Sequence, residues 1–144
     1  MTRIVLAVLL LCACGGAAQA QRFDSGWRRI AAGDLVDLDL AGGDVRVNNL
    51  IIAPENDTKA RQQPDQLATY IFSLSAVKRA AGSRSVYVQI VGVNAERMPT
   101  VTSALAISFG DSDVNRLRTD SHRFPVFPKE ANTTTEYVVR ILVQ

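Results

Sequence analysis

Hydrophobic and polar side chains alternate with a period of two along most of the chain after residue 20. Residues 100–109, TVTSALAISF, place four large apolar side chains on one face: Val101, Leu105, Ile107 and Phe109. Residues 136–143, EYVVRILV, likewise place on one face Tyr137, Val139, Ile141 and Val143. Successive side chains of a strand point to opposite faces, so this spacing predicts half-buried β-strands.

The same alternation predicts further strands at residues 35–40, 45–52, 69–77 and 85–93. Polar segments rich in turn-forming residues connect them: AGGD at 41–44, KRAAGSR at 78–84 and NAERMP at 94–99. Residues 54–66, PENDTKARQQPDQ, are too polar for a core element and predict a loop or a short exposed helix. Six to eight strands without a long helix predict an all-β sandwich formed by residues 21–144 as a single domain.

The second half of the chain has a recognisable order of parts. The residues that define it are Tyr70, Phe72, Leu74, Gly82, Val86, Val88, Gly92 and the closing segment FPKEANTTTEYVVRI. From Leu67 to Val143 this order resembles immunoglobulin-like domains of bacterial exported proteins, including the FxLYD type; where the LYD signature would fall, the chain has IVGVN. The resemblance implies an immunoglobulin-like antiparallel β-sandwich and an exported setting, and it brings no catalytic residues.

The first twenty residues have the pattern of a signal peptide. Arg3 is their only charged residue, and the apolar run 4–13 follows it. The run is too short to span a membrane, and Ala18-Gln19-Ala20 matches the small-residue cleavage pattern. Cleavage there would remove residues 1–20 and release a periplasmic or secreted chain beginning at Gln21.

An alternative processing site lies within the same segment. Leu11-Cys12-Ala13-Cys14 resembles a bacterial lipobox, in which the signal peptide is residues 1–13 and Cys14 carries the lipid. The protein would then be a membrane-anchored lipoprotein, in contact with the membrane only through that lipid. Neither cleavage leaves both cysteines in the mature chain, so no disulfide is expected.

The charge balance limits the partners. Without Arg3, the mature region has one more basic than acidic residue, which argues against nucleic-acid binding, where an excess of cations supplies the affinity. The mature region has neither the clustered Cys and His residues of a zinc site nor the glycine-rich patterns that bind phosphate. The sequence therefore predicts no cofactor.

Three groups of residues have the types found in catalytic or metal sites. Asp120, Ser121 and His122 are the residue types of a hydrolase triad, yet adjacent side chains diverge in an extended segment, and a solvated loop is the stronger interpretation. Asp111, Asp113 and Asn115 have the spacing of calcium loops but lack the later glycine and glutamate, which favours a polar turn over a metal site. Asp37 and Asp39 are interpreted as a solvent-facing strand edge.

Two groups are candidates for protein or ligand interaction. Trp27, Arg28 and Arg29 combine the aromatic and arginine residues that are enriched at interfaces, although the stronger interpretation is that Trp27 covers the core where the chain enters its first strand. The second group lies in a segment interpreted as a solvated loop and consists of Arg116, Arg118 and Arg123.

These observations favour a non-enzymatic exported protein of the bacterial envelope that acts as a binding or assembly-accessory domain. Its expected partner is another envelope protein or a surface assembly. The alternative is a structural subunit of a surface fibre that uses strand addition, with the C-terminal TEYVVRILVQ as donor or acceptor. A small hydrolase of an unrecognised type is the third interpretation.

Overall fold

The structure is a computed structural model that describes residues 22–144. The signal-peptide boundary and the lipidation of Cys14 lie outside the described residues. Within them the chain forms nine strands and two short helices. The strands are β1 Phe23–Asp24, β2 Arg28–Ala31, β3 Asp39–Gly42, β4 Val45–Pro54, β5 Ala68–Lys78, β6 Arg84–Val93, β7 Pro99–Phe109, β8 Leu117–Val126 and β9 Glu136–Val143. The helices are α1 Asp57–Gln62 and α2 Pro128–Ala131.

The strands form two antiparallel sheets that pack face to face. The first sheet has the order β9-β6-β7, with β1 and β2 both paired to the free side of β9. The second has the order β3-β4-β5-β8. This arrangement confirms the predicted all-β sandwich.

One central strand pairing lies in each sheet. β5 pairs with β8 in one sheet and β6 pairs with β9 in the other, like the B–E and C–F pairs of immunoglobulin domains. In those domains the strand beside F is the last of the chain. Here the strands beside β9 come from the N-terminal side, residues 23–31, so β9 is an interior strand.

The core is built from the alternating positions that the sequence predicts. Phe72 and Leu74 of β5 face Val88 and Ile90 of β6 across the sandwich, and all four are buried. Full burial of such side chains stabilises the fold by about 1.5–3 kcal/mol each before the loss of chain entropy. The core residues from β9 are Tyr137, Val139, Ile141 and Val143.

The structure corrects two local predictions. Residues 116–123 were interpreted as a solvated loop, but all except Arg116 lie in strand β8, which pairs with β5 over its whole length. The apolar alternation is missing because β8 is an edge strand in which only Phe124 and Val126 are buried. The predicted strand at 35–40 begins only at Asp39, because residues 32–37 form a 3₁₀ turn and a bend.

Candidate functional site

The loops of the sandwich are gathered at two ends. One end holds the connections β2–β3, β4–β5, β6–β7 and β8–β9, together with both helices; we call it the groove end. The opposite end holds the connections β3–β4, β5–β6 and β7–β8, together with residues 22 and 144; we call it the closed end. The concave surfaces lie at the groove end.

The groove end contains a cavity of about 440 Å³ between α1 and α2, which we call the polar compartment. Tyr70 of β5 and Tyr137 of β9 lie in its lining and are only 4% and 8% exposed. The other lining residues are Ile52, Pro54, Asp57, Ala60, Arg61, Ala131 and Asn132. Its rigid part therefore comes from strands of both sheets.

The two tyrosines supply fixed polar groups to this compartment. The rings of both residues are buried, whereas their phenolic hydroxyls reach solvent at the compartment and have no hydrogen-bonding partner among the described residues. Burial raises the pKa of Tyr70, and the Asp57 carboxylate raises it further. Burial also raises the pKa of Tyr137, with an added effect from Tyr70. Both hydroxyls therefore stay protonated at neutral pH and can donate to an acceptor on a ligand.

The wall of the compartment on one side is α1. The side chain of Asn56 caps this helix by accepting a hydrogen bond from the Lys59 backbone N–H at 2.9 Å. Asp57 in the first turn and Arg61 one turn later form an ion pair of 2.8 Å at the rim. The polar compartment thus presents both signs of charge at its opening.

The opposite wall is α2, which begins with Pro128 at its first helical position. The backbone N–H of Lys129 donates to the Pro64 carbonyl at 3.0 Å, and the Lys129 ammonium lies 3.1 Å from the Asp65 carboxylate. These contacts join α2 to the segment that follows α1. The two walls are therefore connected to each other as well as to the sheets.

A second cavity of about 230 Å³ adjoins the first, and we call it the apolar compartment. It shares Ile52 and Tyr137 with the polar compartment. Its remaining lining residues are Ala32, Gly33, Leu35, Val36, Leu50 and Ile51. Apart from backbone groups and Tyr137, this lining is entirely aliphatic.

Another surface depression of about 450 Å³ lies on the far side of α2. All of its lining side chains are exposed: Asp65, Phe127, Lys129, Glu130 and Thr133. It therefore lacks the fixed, buried polar groups that orient a ligand, and the two-compartment groove is the stronger candidate site.

The closed end is held together by polar contacts around Lys78. Its side chain is fully buried, and its ammonium donates to the carbonyls of Gly82 and Gly110 at 2.5 Å each and of Asp111 at 3.3 Å. These three bonds join the β5–β6 and β7–β8 loops. The ion pair between Arg84 and Asp44, at 3.0 Å, ties in the β3–β4 turn.

The candidate calcium residues belong to this structural network. The Asp113 carboxylate accepts from the Gly110 N–H at 2.8 Å and lies 3.3 Å from Arg116 and 3.6 Å from Arg118. The Gly110 N–H and then these arginines hold the pKa of Asp113 below its ordinary value. Asn115 accepts from Arg79 at 3.0 Å, and Asp111 contributes its carbonyl to Lys78. Residues 22–144 contain no group of three or more His, Cys, Asp or Glu side chains placed to hold a metal ion.

The candidate triad residues lie on strand β8 rather than in a loop. His122 stacks parallel to Phe124, with ring centroids 6.3 Å apart, on the face of the strand that carries Asp120. Ser121 lies on the other face, and its backbone N–H donates to the Asp120 carboxylate at 2.8 Å. The strand therefore separates the serine from the histidine. The other paired carboxylates are also apart: Asp37 lies in a turn, and Asp39 pairs with Arg46.

Trp27 does not cover the core. It is 53% exposed and lies between β1 and β2, where an extra residue interrupts the pairing with β9. The Arg140 guanidinium lies 5.9 Å from the centroid of the Trp27 ring and forms a two-point ion pair with Asp24, at 3.0 and 2.6 Å. The core-facing residues of this segment are instead Phe23 and Ile30. Arg28 is exposed, and Arg29 lies 3.4 Å from Glu136.

The three arginines of the second interaction candidate do not form one patch. Arg116 and Arg118 lie at the closed end and pair with Asp113. Arg123 lies farther along β8, on the opposite face from Arg118, and pairs with Glu55 at 2.8 Å. The structure therefore divides this group between two regions.

Sequence reasoning assigned Tyr70 and Tyr137 to the core and missed the hydroxyls. The available signal was their position: each is a tyrosine on the core face within three residues of the start of a strand. A buried tyrosine usually finds a partner for its hydroxyl, and at a strand end that partner can be a ligand.

No protein-family model and no curated protein matches this chain. Among residues 22–144, the structure has no apolar helix of membrane-spanning length.

Proposed function

We propose that the protein is a non-enzymatic exported domain of the bacterial envelope that binds a partner in the groove formed by the polar and apolar compartments. The observation that carries the proposal is the pair of tyrosines, Tyr70 and Tyr137, whose rings are buried while their hydroxyls reach the groove without a partner among the described residues. A concave site with a few convergent polar groups is the usual form of a ligand site.

The energetics of these hydroxyls support binding. A hydroxyl at a concave surface exchanges its hydrogen bond to water for one to a ligand acceptor, and the net gain for such a bond is about 0.5–1.5 kcal/mol. The rings are held by the packing of both sheets, so little side-chain freedom would be lost on binding. Water competes for the same hydroxyls, so specificity depends on the match between the acceptors of the ligand and the positions of the hydroxyls.

The position of the groove relative to the start of the domain also supports the proposal. β1 begins at the closed end, next to the last residues of β9. The groove end therefore faces away from the point where the preceding chain enters the domain. In a protein tethered through Cys14, a partner would meet the groove on the side remote from the membrane.

A ligand panel tests the proposal. The chain from Gln21 is unfolded by heat in the presence of blocked amino acids, hexoses or short carboxylic acids, since a compound that binds the folded state raises Tm. We expect at least one class to raise Tm, and we expect the Tyr70→Phe/Tyr137→Phe double variant to lose the increase. Tyr87→Phe is the matched control, because Tyr87 lies on the exposed outer face of β6, away from the groove. If a ligand raises the Tm of the double variant as much as that of the unmodified protein, the proposal is contradicted.

A specific observation supports the fibre subunit as the second candidate. Residues 23–31 occupy the place beside β9 that the last strand takes in immunoglobulin domains, and β1 and β2 have no other strand partner among the described residues. If this segment moved to another copy, β9 would accept a strand from a neighbour. The C-terminal segment itself is not a free donor, because β9 is paired on both sides.

Sedimentation of the mature chain over a wide concentration range tests the second candidate. Growing polymers would favour the fibre. A double cysteine variant, Ser25→Cys/Ile141→Cys, would lock the segment in its own domain, since the two backbones are hydrogen-bonded there at 2.9 Å. Polymers that persist in the locked variant would contradict strand exchange.

A further inference from the structure

We infer that the groove recognises a peptide segment of a partner protein, with one branched aliphatic or aromatic side chain in the apolar compartment and the adjoining backbone in the polar compartment. This inference rests on the proposed function and specifies its ligand. It follows from the size and the chemistry of the two compartments and from the residues that join them.

The apolar compartment has the size of one large side chain. A cavity of about 150 Å³ holds one benzene molecule, and the compartment, an open depression of about 230 Å³, accommodates one large apolar side chain. The exposed rim residue Val36, 48% exposed, and the neighbouring Ile51 widen the apolar surface around the entrance.

The polar compartment fits a neutral ligand with both donors and acceptors. Asp57 and Arg61 neutralise each other at the rim, so no excess charge selects an ion. Two phenolic hydroxyls and the Asn132 amide supply donors and acceptors on the remaining wall. A peptide backbone offers alternating carbonyls and N–H groups of this kind, whereas a hexose has no apolar group for the second compartment.

Tyr137 and Ile52 join the two compartments, because both residues line each of them. A ligand that fills both must therefore carry its polar group next to its apolar group. A side chain and its own backbone have that arrangement.

Four probes and four variants test this inference by amide chemical-shift mapping of ¹⁵N-labelled mature chain. The probes are N-acetyl-leucine methylamide, N-acetyl-glycine methylamide, glucose and octanoate. The variants are Val36→Asp and Tyr137→Phe at the groove, with Val114→Asp and Tyr87→Phe as matched controls at exposed sites elsewhere. Single backbone–side chain units bind weakly, so Kd values near the millimolar range are expected.

We expect the leucine probe to shift amides in both compartments and to bind at least tenfold more tightly than the glycine probe. Val36→Asp and Tyr137→Phe should each weaken it by about fivefold to tenfold, with the controls unchanged. Equal affinity for the leucine and glycine probes, or a preference for octanoate, would overturn the inference and leave the groove as a binding site. Glucose shifts confined to the polar compartment would also overturn it. Shifts at the groove from none of the four probes would overturn it as well, and the wider panel above then decides the proposed function separately.

Discussion

The loops at the two ends of the sandwich cover the core in different ways. At each end the loops must cover the core, and at the closed end they do so with a buried ammonium that binds three carbonyls and with ion pairs between loops. At the groove end the loops carry two short helices with a cavity between them, and the hydroxyls of Tyr70 and Tyr137 reach this cavity without a partner among the described residues. The polar groups of the closed end are bonded to one another, whereas these two hydroxyls are not.

The largest effect is expected from Lys78→Met. It keeps much of the side-chain volume but removes the buried ammonium that donates to the Gly82, Gly110 and Asp111 carbonyls and joins two loops. Because hydrogen bonds to a charged group contribute about 1.5–3 kcal/mol, the free energy of unfolding should fall by about 3 kcal/mol, measured by urea denaturation. Lys129→Met at the groove end is the control, because the exposed Lys129–Asp65 pair is worth less than about 1 kcal/mol. Equal losses in the two variants would remove the distinction between the ends.

A smaller effect is expected from Asn56→Ala, which removes the cap of α1. The loss of a capping side chain costs about 1 kcal/mol, and the disturbance should stay local to the groove end. Hydrogen exchange should quicken at the Lys59 and Ala60 amides while the β6 amides keep their protection. Asn56→Asp, which retains the cap, should restore slow exchange. A uniform rise in exchange through both sheets would show that α1 is not a separate local element.

The ends should also respond to opposite extremes of pH. The pKa of Asp113 is lowered in the folded state, so its stabilising contribution is present above the ordinary value near 3.8 and is lost as pH falls further. The pKa values of Tyr70 and Tyr137 are raised, so their contribution is present below about pH 10 and is lost as pH rises through the folded values. Amide spectra should therefore change first at the closed end in acid and first at the groove end in alkali. Asp113→Asn should weaken the acid response, and the double tyrosine variant the alkaline one; a reversed order would contradict the assignment.

The smallest effect is expected from Tyr70→Phe/Tyr137→Phe at neutral pH without ligand. The substitutions remove hydroxyls that have no partner among the described residues and keep the rings in the core. The free energy of unfolding should change by no more than about 0.5 kcal/mol. A loss above about 2 kcal/mol in urea denaturation would mean that the hydroxyls serve the fold rather than a partner.

Some parts of the fold can be predicted from the sequence and others cannot. Interior strands such as β6 are recognisable because their alternate residues, Val86, Val88 and Ile90, must be buried. The polar edge strand β8 is not recognisable, because it forms by pairing with β5. That tertiary contact requires no alternation of apolar residues along β8. The short helix α1 fell within the predicted loop or helix, and its Asn56 cap explains where it begins.

The candidate site is less accessible to sequence reasoning than the fold. Tyr70 and Tyr137 lie 67 positions apart and meet only because β5 and β9 begin at the same end of the two sheets. Trp27 was expected to cover the core or to bind a partner; it is exposed, so the first interpretation is wrong, and the second stays a prediction. Its position depends on the interrupted pairing between residues 24 and 28, which the sequence pattern does not encode.

The central claim is that binding belongs to the groove end and stability to the closed end. The most direct measurement is amide chemical-shift mapping of the ¹⁵N-labelled mature chain with N-acetyl-leucine methylamide and the wider panel of blocked amino acids. The account predicts concentration-dependent shifts around Gly33, Ala60, Asn132 and Tyr137, with the amides near Lys78 and Asp113 unchanged. Shifts centred on the closed end or on Trp27, with none in the groove, would contradict it.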